Sequence, residues 1–165
     1  MAEPFSIIAG AGGLADVCFR LTKILKQAKD GFHTVDADLE DLSTEITTLH
    51  SVNNLVQRTY QAEHGDTSDP SYQEILRGRW LPAQNALIAC ERVVEQIERL
   101  LTSIIGVSNE KNVKIDRLRK LLKQQSKEHE LNTLRQQLNS NQHALQTSLT
   151  AIDMWVWPQY GKQHF

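Results

Sequence analysis

Cysteine is scarce. The chain has two, Cys18 and Cys90, both in apolar, helix-like surroundings and without a C-x-x-C neighbour. That excludes a disulfide scaffold and a zinc site, and makes both reduced core residues of an intracellular protein. An excess of one charge is missing too. Eighteen Lys and Arg stand against twenty Asp and Glu, so any attraction to nucleic acid or anionic lipid has to come from a local patch. The opening Met1-Ala2-Glu3-Pro4 lacks the basic region of a secretory signal, and Ala2 stands where myristoylation needs glycine. A cytoplasmic start is expected. Outside the first thirty or so residues nothing alternates with period two, and internal repeats and low-complexity tracts are missing. The six histidines have no ligand spacing, and no nucleophile elbow or paired-carboxylate arrangement is present. No catalytic residue, metal ligand or cofactor site is assigned, and an enzyme is not expected.

What is present is a set of apolar seams. Phe32, Val35, Leu39, Leu42, Ile46, Leu49, Val52 and Val56 step by three and four, with one step out of turn near the end, as one long helix with a narrow apolar stripe requires. His64 to Ser71 breaks the pattern with Gly, Asp and Pro, and reads as a loop. Ser71 and Glu74 have the spacing of a capping box from which a helix restarts. The next seam is Trp80, Ala83, Leu87, Cys90, Val94, Ile97, Leu101 and Ile104, with Pro82 expected to kink or begin its main helix. Gly106 ends it and Ser108 starts another helix. The last segment carries Ile115, Leu118 and Leu122, a polar interval, then Leu131, Leu134, Leu138, Leu145, Leu149 and Ile152. Trp157-Pro158 is expected to close it, with Trp155, Trp157 and Tyr160 capping one end of the core. Hydrophobic residues make up 40% of the chain, enough to bury one core. The expected fold is therefore all-α, an antiparallel bundle of four to five helices over residues 1–157, with 158–165 as a tail.

Three glycines sit in the apolar run Phe5 to Leu21. Gly10, Gly12 and Ala15 fit G-x-G-x-x-G/A, and Asp36 follows at the distance of a ribose-binding acid. The fingerprint works only where a strand turns into a helix beside a parallel sheet, and this chain offers no further strands. Phe32 and Val35 also belong to the longer helical seam. As a helix, Phe5 to Gln27 puts Ile7 or Ile8, Ala11, Leu14, Cys18, Leu21 and Leu25 on one face. Each glycine then costs about 1 kcal/mol relative to alanine, so something must offset it. One offset is close packing inside the bundle. The other is lipid: Ser6 with Gly10, Ala9 with Gly13 and Ala11 with Ala15 are small-x-x-x-small pairs. Pro4 to Phe19, interrupted only by Asp16, reaches roughly 24 Å against a hydrocarbon core of roughly 30 Å, so the segment is not a self-sufficient span.

Charge is segregated along the chain. Residues 30–57 hold Asp30, Asp36, Asp38, Glu40, Asp41 and Glu45 and no Lys or Arg, whereas Lys111, Lys114, Arg117, Arg119, Lys120, Lys123 and Lys127 face only Asp116. The basic run is a solvated face, paired with the acidic helix, or an attraction for anionic phospholipid worth about 1 kcal/mol per base near the surface. Nucleic acid is not expected, since no reading motif or interleaved aromatics accompany the bases.

The opening MAEPFSIIAGAGGLADVCFRLTKILKQ, followed by VDADLEDLSTEITTLHSV, resembles the fungal N-terminal domain of STAND, or NOD-like, receptors, a group similar to the HeLo and HeLo-like domains. The likeness implies a helical bundle acting as effector, controlled by a nucleotide-binding oligomerisation module downstream. It further implies self-association, movement to the plasma membrane on activation, and programmed cell death in heterokaryon incompatibility or defence. The membrane-inserting residues implied are Phe5, Ile7, Ile8, Gly10, Gly12, Gly13, Leu14 and Val17. Two departures from the pattern stand out: this chain carries no nucleotide-binding module, and Asp16 sits inside the segment that would enter lipid.

Overall fold

A computed structural model describes the backbone of residues 4–30, 37–64, 69–105 and 125–160. Every one of these residues except Asp69 is helical, and no strand occurs among them. They form α1 (Pro4–Asp30), α2 (Ala37–His64), α3 (Pro70–Ile105) and α4 (Gln125–Tyr160). The fold is an all-α bundle of four described helices. The opening run is helix from end to end, which removes the strand that a dinucleotide fingerprint needs.

The seams explain the helices. Leu39, Leu42, Ile46, Leu49, Val52 and Val56 on α2 are buried, as are Trp80, Ala83, Leu87, Cys90, Val94, Ile97 and Leu101 on α3. On α4 the buried line is Leu131, Leu134, Leu138, Leu145, Leu149 and Ile152. With the inner face of α1 they make one continuous core, at about 1.5–3 kcal/mol of transfer free energy per large side chain. The polar interval before Leu131 becomes the opening turns of α4 from Ser126 to Glu130, exposed except for the half-buried Lys127. Threonines and serines sit on the outer face of α2 because their hydroxyls bond back one turn: Thr44 to the Glu40 carbonyl at 3.1 Å, Thr47 to Ser43 at 2.9 Å, Thr48 to Thr44 at 2.9 Å and Ser51 to Thr47 at 3.1 Å. Those bonds satisfy polar groups that would otherwise compete with the helix.

Three local expectations need correction. The cap of α3 is Asp69 and not Ser71. The Ser71 N–H donates to Asp69 Oδ1 at 3.0 Å, and the Gln73 N–H to the Asp69 carbonyl at 3.1 Å. Pro70 then occupies the first helical position, where its missing N–H costs nothing. Pro82 neither begins nor ends a helix; it lies inside the 36 residues of α3. Its ring opposes the carbonyl four residues back, and that residue is Gly78, exposed and with no neighbouring atom where a Cβ would stand. The helix likewise continues past Trp157-Pro158 to Tyr160. The side chains of Trp155, Trp157 and Tyr160, the position of Phe32 and Val35, and the segment from Gly106 through Leu122 lie outside the described residues.

Around the bundle the order is α2, α1, α3, α4: α1 packs on α2 and α3, while α4 packs on α3 and, over a shorter stretch, on α2. Gly10 is nearest Leu87, Gly13 nearest Glu91, and Arg20 bonds Glu98, so α1 and α3 run parallel. The short connection after α1 makes α2 antiparallel to it. Where α2 hands over to α3, Tyr60 and Trp80 meet edge to face with centroids 5.1 Å apart. The Trp80 indole donates to Glu63 Oε2 at 2.8 Å. This polar bond fixes the one end at which the two otherwise distant helices touch.

Candidate functional site on the first helix

The candidate site is built on α1, the most apolar of the four described helices. Its inner face is a line of Ile7, Ala11, Leu14, Val17, Cys18, Leu21 and Leu25, all at most 3% exposed. The residues implied to enter a membrane are therefore not brought to one surface. Ile7, Leu14 and Val17 are core; Gly10 and Gly13 are half-buried toward α3; Ile8 and Gly12 face outward. Phe5 lies in the first turns of α1, with its side chain outside the described residues. The outward face continues through Asp16 and Phe19, which is 59% exposed and carries Lys23 Nζ 4.8 Å above its ring.

Polar groups from both neighbours grip the glycine-rich part of α1. From α2, Asn53, fully buried, donates its Nδ2 to the Ala11 carbonyl at 2.8 Å. From α3, the Glu91 carboxylate lies where a Gly13 side chain would go: an added Cβ would stand 2.7 Å from Glu91 Oε1. Two turns on, Arg20 donates through Nε to Glu98 Oε1 at 2.9 Å and through Nη2 to Oε2 at 3.2 Å, and its Nη1 also bonds Asp16. Asp16, the charge that interrupts the apolar run, is thus neutralised by a base of its own helix that is clamped to α3. Hydrogen bonding to Glu98 holds the Arg20 guanidinium charged even more firmly than usual.

No family model, curated protein or solved structure matches this chain. The chemistry of the site is read from its own groups. Cys18 on α1 and Cys90 on α3 are free and buried, and burial pushes each thiol up to about 12. Neither is a thiolate nucleophile at neutral pH while α1 is seated. No cluster of metal-binding side chains occurs among the described residues.

Burial raises the Glu91 carboxyl above its ordinary range, with the Glu95 charge adding to the effect. The folded chain thus releases this proton later than the unfolded chain. The resulting loss of stability is present above the folded pKa and vanishes below the ordinary carboxylate value. Glu91→Gln should therefore melt higher than the parent at neutral pH and lose that advantage in mild acid, as followed by circular dichroism. A variant no more stable than the parent at neutral pH would show the carboxylate to be well solvated.

Of the basic run, Lys111, Lys114, Arg117, Arg119, Lys120 and Lys123 lie outside the described residues. Lys127 is half-buried at the start of α4, with Nζ 3.2 Å from Glu130, in an open groove shared with Arg99 and Ser103 of α3. The acidic stretch of α2 has a partner that sequence reasoning missed. Arg135 of α4 bonds Glu45 through two nitrogens, Nε to Oε2 at 3.1 Å and Nη2 to Oε1 at 2.8 Å. It also lies within 4 Å of Asp38 and Asp41. Asn53 was missed as well, although a signal existed: the strict alternation of three and four along α2 runs Ile46, Leu49, Asn53, Val56, Tyr60. The step out of turn arose from substituting the apolar Val52 for the polar seam residue.

Proposed function

We propose that the chain is a non-enzymatic signalling module whose first helix is held in the bundle at rest and released toward a membrane when copies cluster. That is the effector role implied by its likeness to the N-terminal domain of fungal NOD-like receptors. The observation that carries the reading is that the resting bundle does not need two of its three glycines, Gly10 and Gly12. A Cβ at Gly12 would meet nothing within 4 Å, and one at Gly10 would make only an ordinary contact with Leu87 at 4.0 Å. Two helix-weakening residues persist in the most apolar of the described helices without a packing reason, which points to a second state where α1 is approached closely by another copy or by lipid. No described helix is long and apolar enough to cross a membrane as it stands. Insertion therefore depends on association of several copies or on an oblique position at the interface.

The test is dye release from anionic liposomes by the monomer and by an artificially clustered form of the full chain. The clustered form is expected to leak and the monomer not. The native thiols give a second readout, because Cys18 and Cys90 become reactive only when α1 leaves. Gly12→Leu is expected to stay folded and to gain up to about 1 kcal/mol from helix propensity, while leakage falls. Tight, dye-retaining liposomes with the clustered form would end this reading. A second reading, an adaptor that binds partner helices and never enters lipid, is favoured by the outward exposure of Ile8 and Phe19 in the closed bundle. It predicts no flotation with liposomes and thiols that stay protected on clustering.

A further inference from the structure

The buried amide of Asn53 deepens this reading and rests on it. Asn53 occupies a seam position of α2 at 0% exposure, in line with Leu49 and Val56. An asparagine amide offers two donors and an acceptor. Here Nδ2 reaches the Ala11 carbonyl at 2.8 Å, and Oδ1 is buried with no hydrogen-bond partner. A buried acceptor left unpaired subtracts from stability, whereas an apolar side chain of similar shape would not. The one bond that is made is directional, and it falls beside Gly10, Gly12 and Gly13, where α1 has least side chain with which to interlock. Two residues on, the opposite flank of α1 meets the Glu91 carboxylate and not an apolar residue. The middle of α1 thus meets a polar group from each neighbour beside its own apolar core residues Ala11, Leu14, Val17 and Cys18.

We propose that Asn53 is the register pin and release point of α1. Its hydrogen bond to Ala11 selects one seating of the helix, and its unpaired oxygen keeps that seating weaker than an apolar seam would make it. A single polar residue in an apolar seam has this effect in paired helices, fixing alignment at a cost in stability. Opening of α1 is then a local event that precedes unfolding of the α3–α4 pair.

The experiment uses the full chain and the two native thiols. Labelling of Cys18 and Cys90 by N-ethylmaleimide under native conditions is timed by mass spectrometry in the parent, Asn53→Leu and Asn53→Val, two apolar replacements of different volume. At least one should melt above the parent and label more slowly by roughly tenfold or more. In the clustered form, that variant should also release dye from anionic liposomes more slowly. If both replacements melt below the parent, or both label as fast as it does, the proposal is overturned. If the clustered parent releases no dye, the membrane reading fails, and the labelling result still decides the role of Asn53.

Discussion

Leu14→Ala is expected to cost the bundle about 3 kcal/mol, whereas Ile8→Ala on the same helix should cost little. Both residues belong to the segment implied to enter a membrane, but they lie on opposite faces of α1. Leu14 is fully buried, and Ile8 is 45% exposed. Truncating a buried leucine loses the transfer free energy of the removed carbons and leaves a cavity that the close-packed neighbours refill only in part, so measured costs run from about 2 to 5 kcal/mol. Leu14 is flanked by Gly13 and Ala15 and packs beside Ala11 and Cys18, small residues with little reach to close the gap. A total stability on the order of 5–15 kcal/mol makes such a loss large. It is read as a lower urea midpoint at unchanged slope. The variant also bears on release. If α1 detaches as a unit, Leu14→Ala should raise the rate at which Cys18 and Cys90 are labelled, because the contact it removes belongs to the seated state. A cost below about 1 kcal/mol would mean that α1 is not packed at rest, and the idea of a sequestered helix would fall with it.

The fold was legible where one physical signal had no competitor. The seams of α2, α3 and α4 are repeats of three and four sustained over several turns, and nothing but a helix keeps such residues on one side. The opening run carried two signals, a glycine fingerprint and a helical stripe, and the absence of any partner strand decided between them. The errors fell where a local rule was applied without its surroundings. Pro82 was expected to kink or begin a helix, and it begins none: it lies inside α3, whose apolar residues on both sides, Leu76, Trp80, Ala83 and Leu87, keep the helix going. Ser71 and Glu74 have capping spacing, yet Asp69-Pro70 just before them supplies a better start. Which face of α1 turns inward was legible, since Ala11, Leu14, Cys18, Leu21 and Leu25 form a stripe. Which helix covers each flank was not, because that depends on the order of helices around the bundle. The partner of Glu45 follows from the same order: Arg135 is ninety residues away in the chain and has no local signature.

Arg135→Ala should give the other large loss, about 2 kcal/mol, and its dependence on neighbours identifies the cause. The α2–α4 packing is much shorter than those of α1 on α2, α1 on α3 and α3 on α4, and Arg135 ties it. Its side chain is 16% exposed and that of Glu45 19% exposed, so the pair is too buried to be screened like a surface salt bridge. Two parallel hydrogen bonds to one carboxylate add directional strength that lysine cannot reproduce. Removing the guanidinium leaves Glu45 half-buried without its base, and takes from Asp41 the positive charge 3.8 Å away. The cost of stranding a buried charge exceeds the net value of the bond itself. The expected order follows. Glu45→Ala should cost less than Arg135→Ala, because Arg135 keeps Asp38 and Asp41 at 3.9 and 3.8 Å, and the double variant should be no worse than Arg135→Ala alone. Urea unfolding of the three variants closes the cycle. Strict additivity of the two single losses would show that the residues act independently, and would remove Arg135 as the tie between α2 and α4.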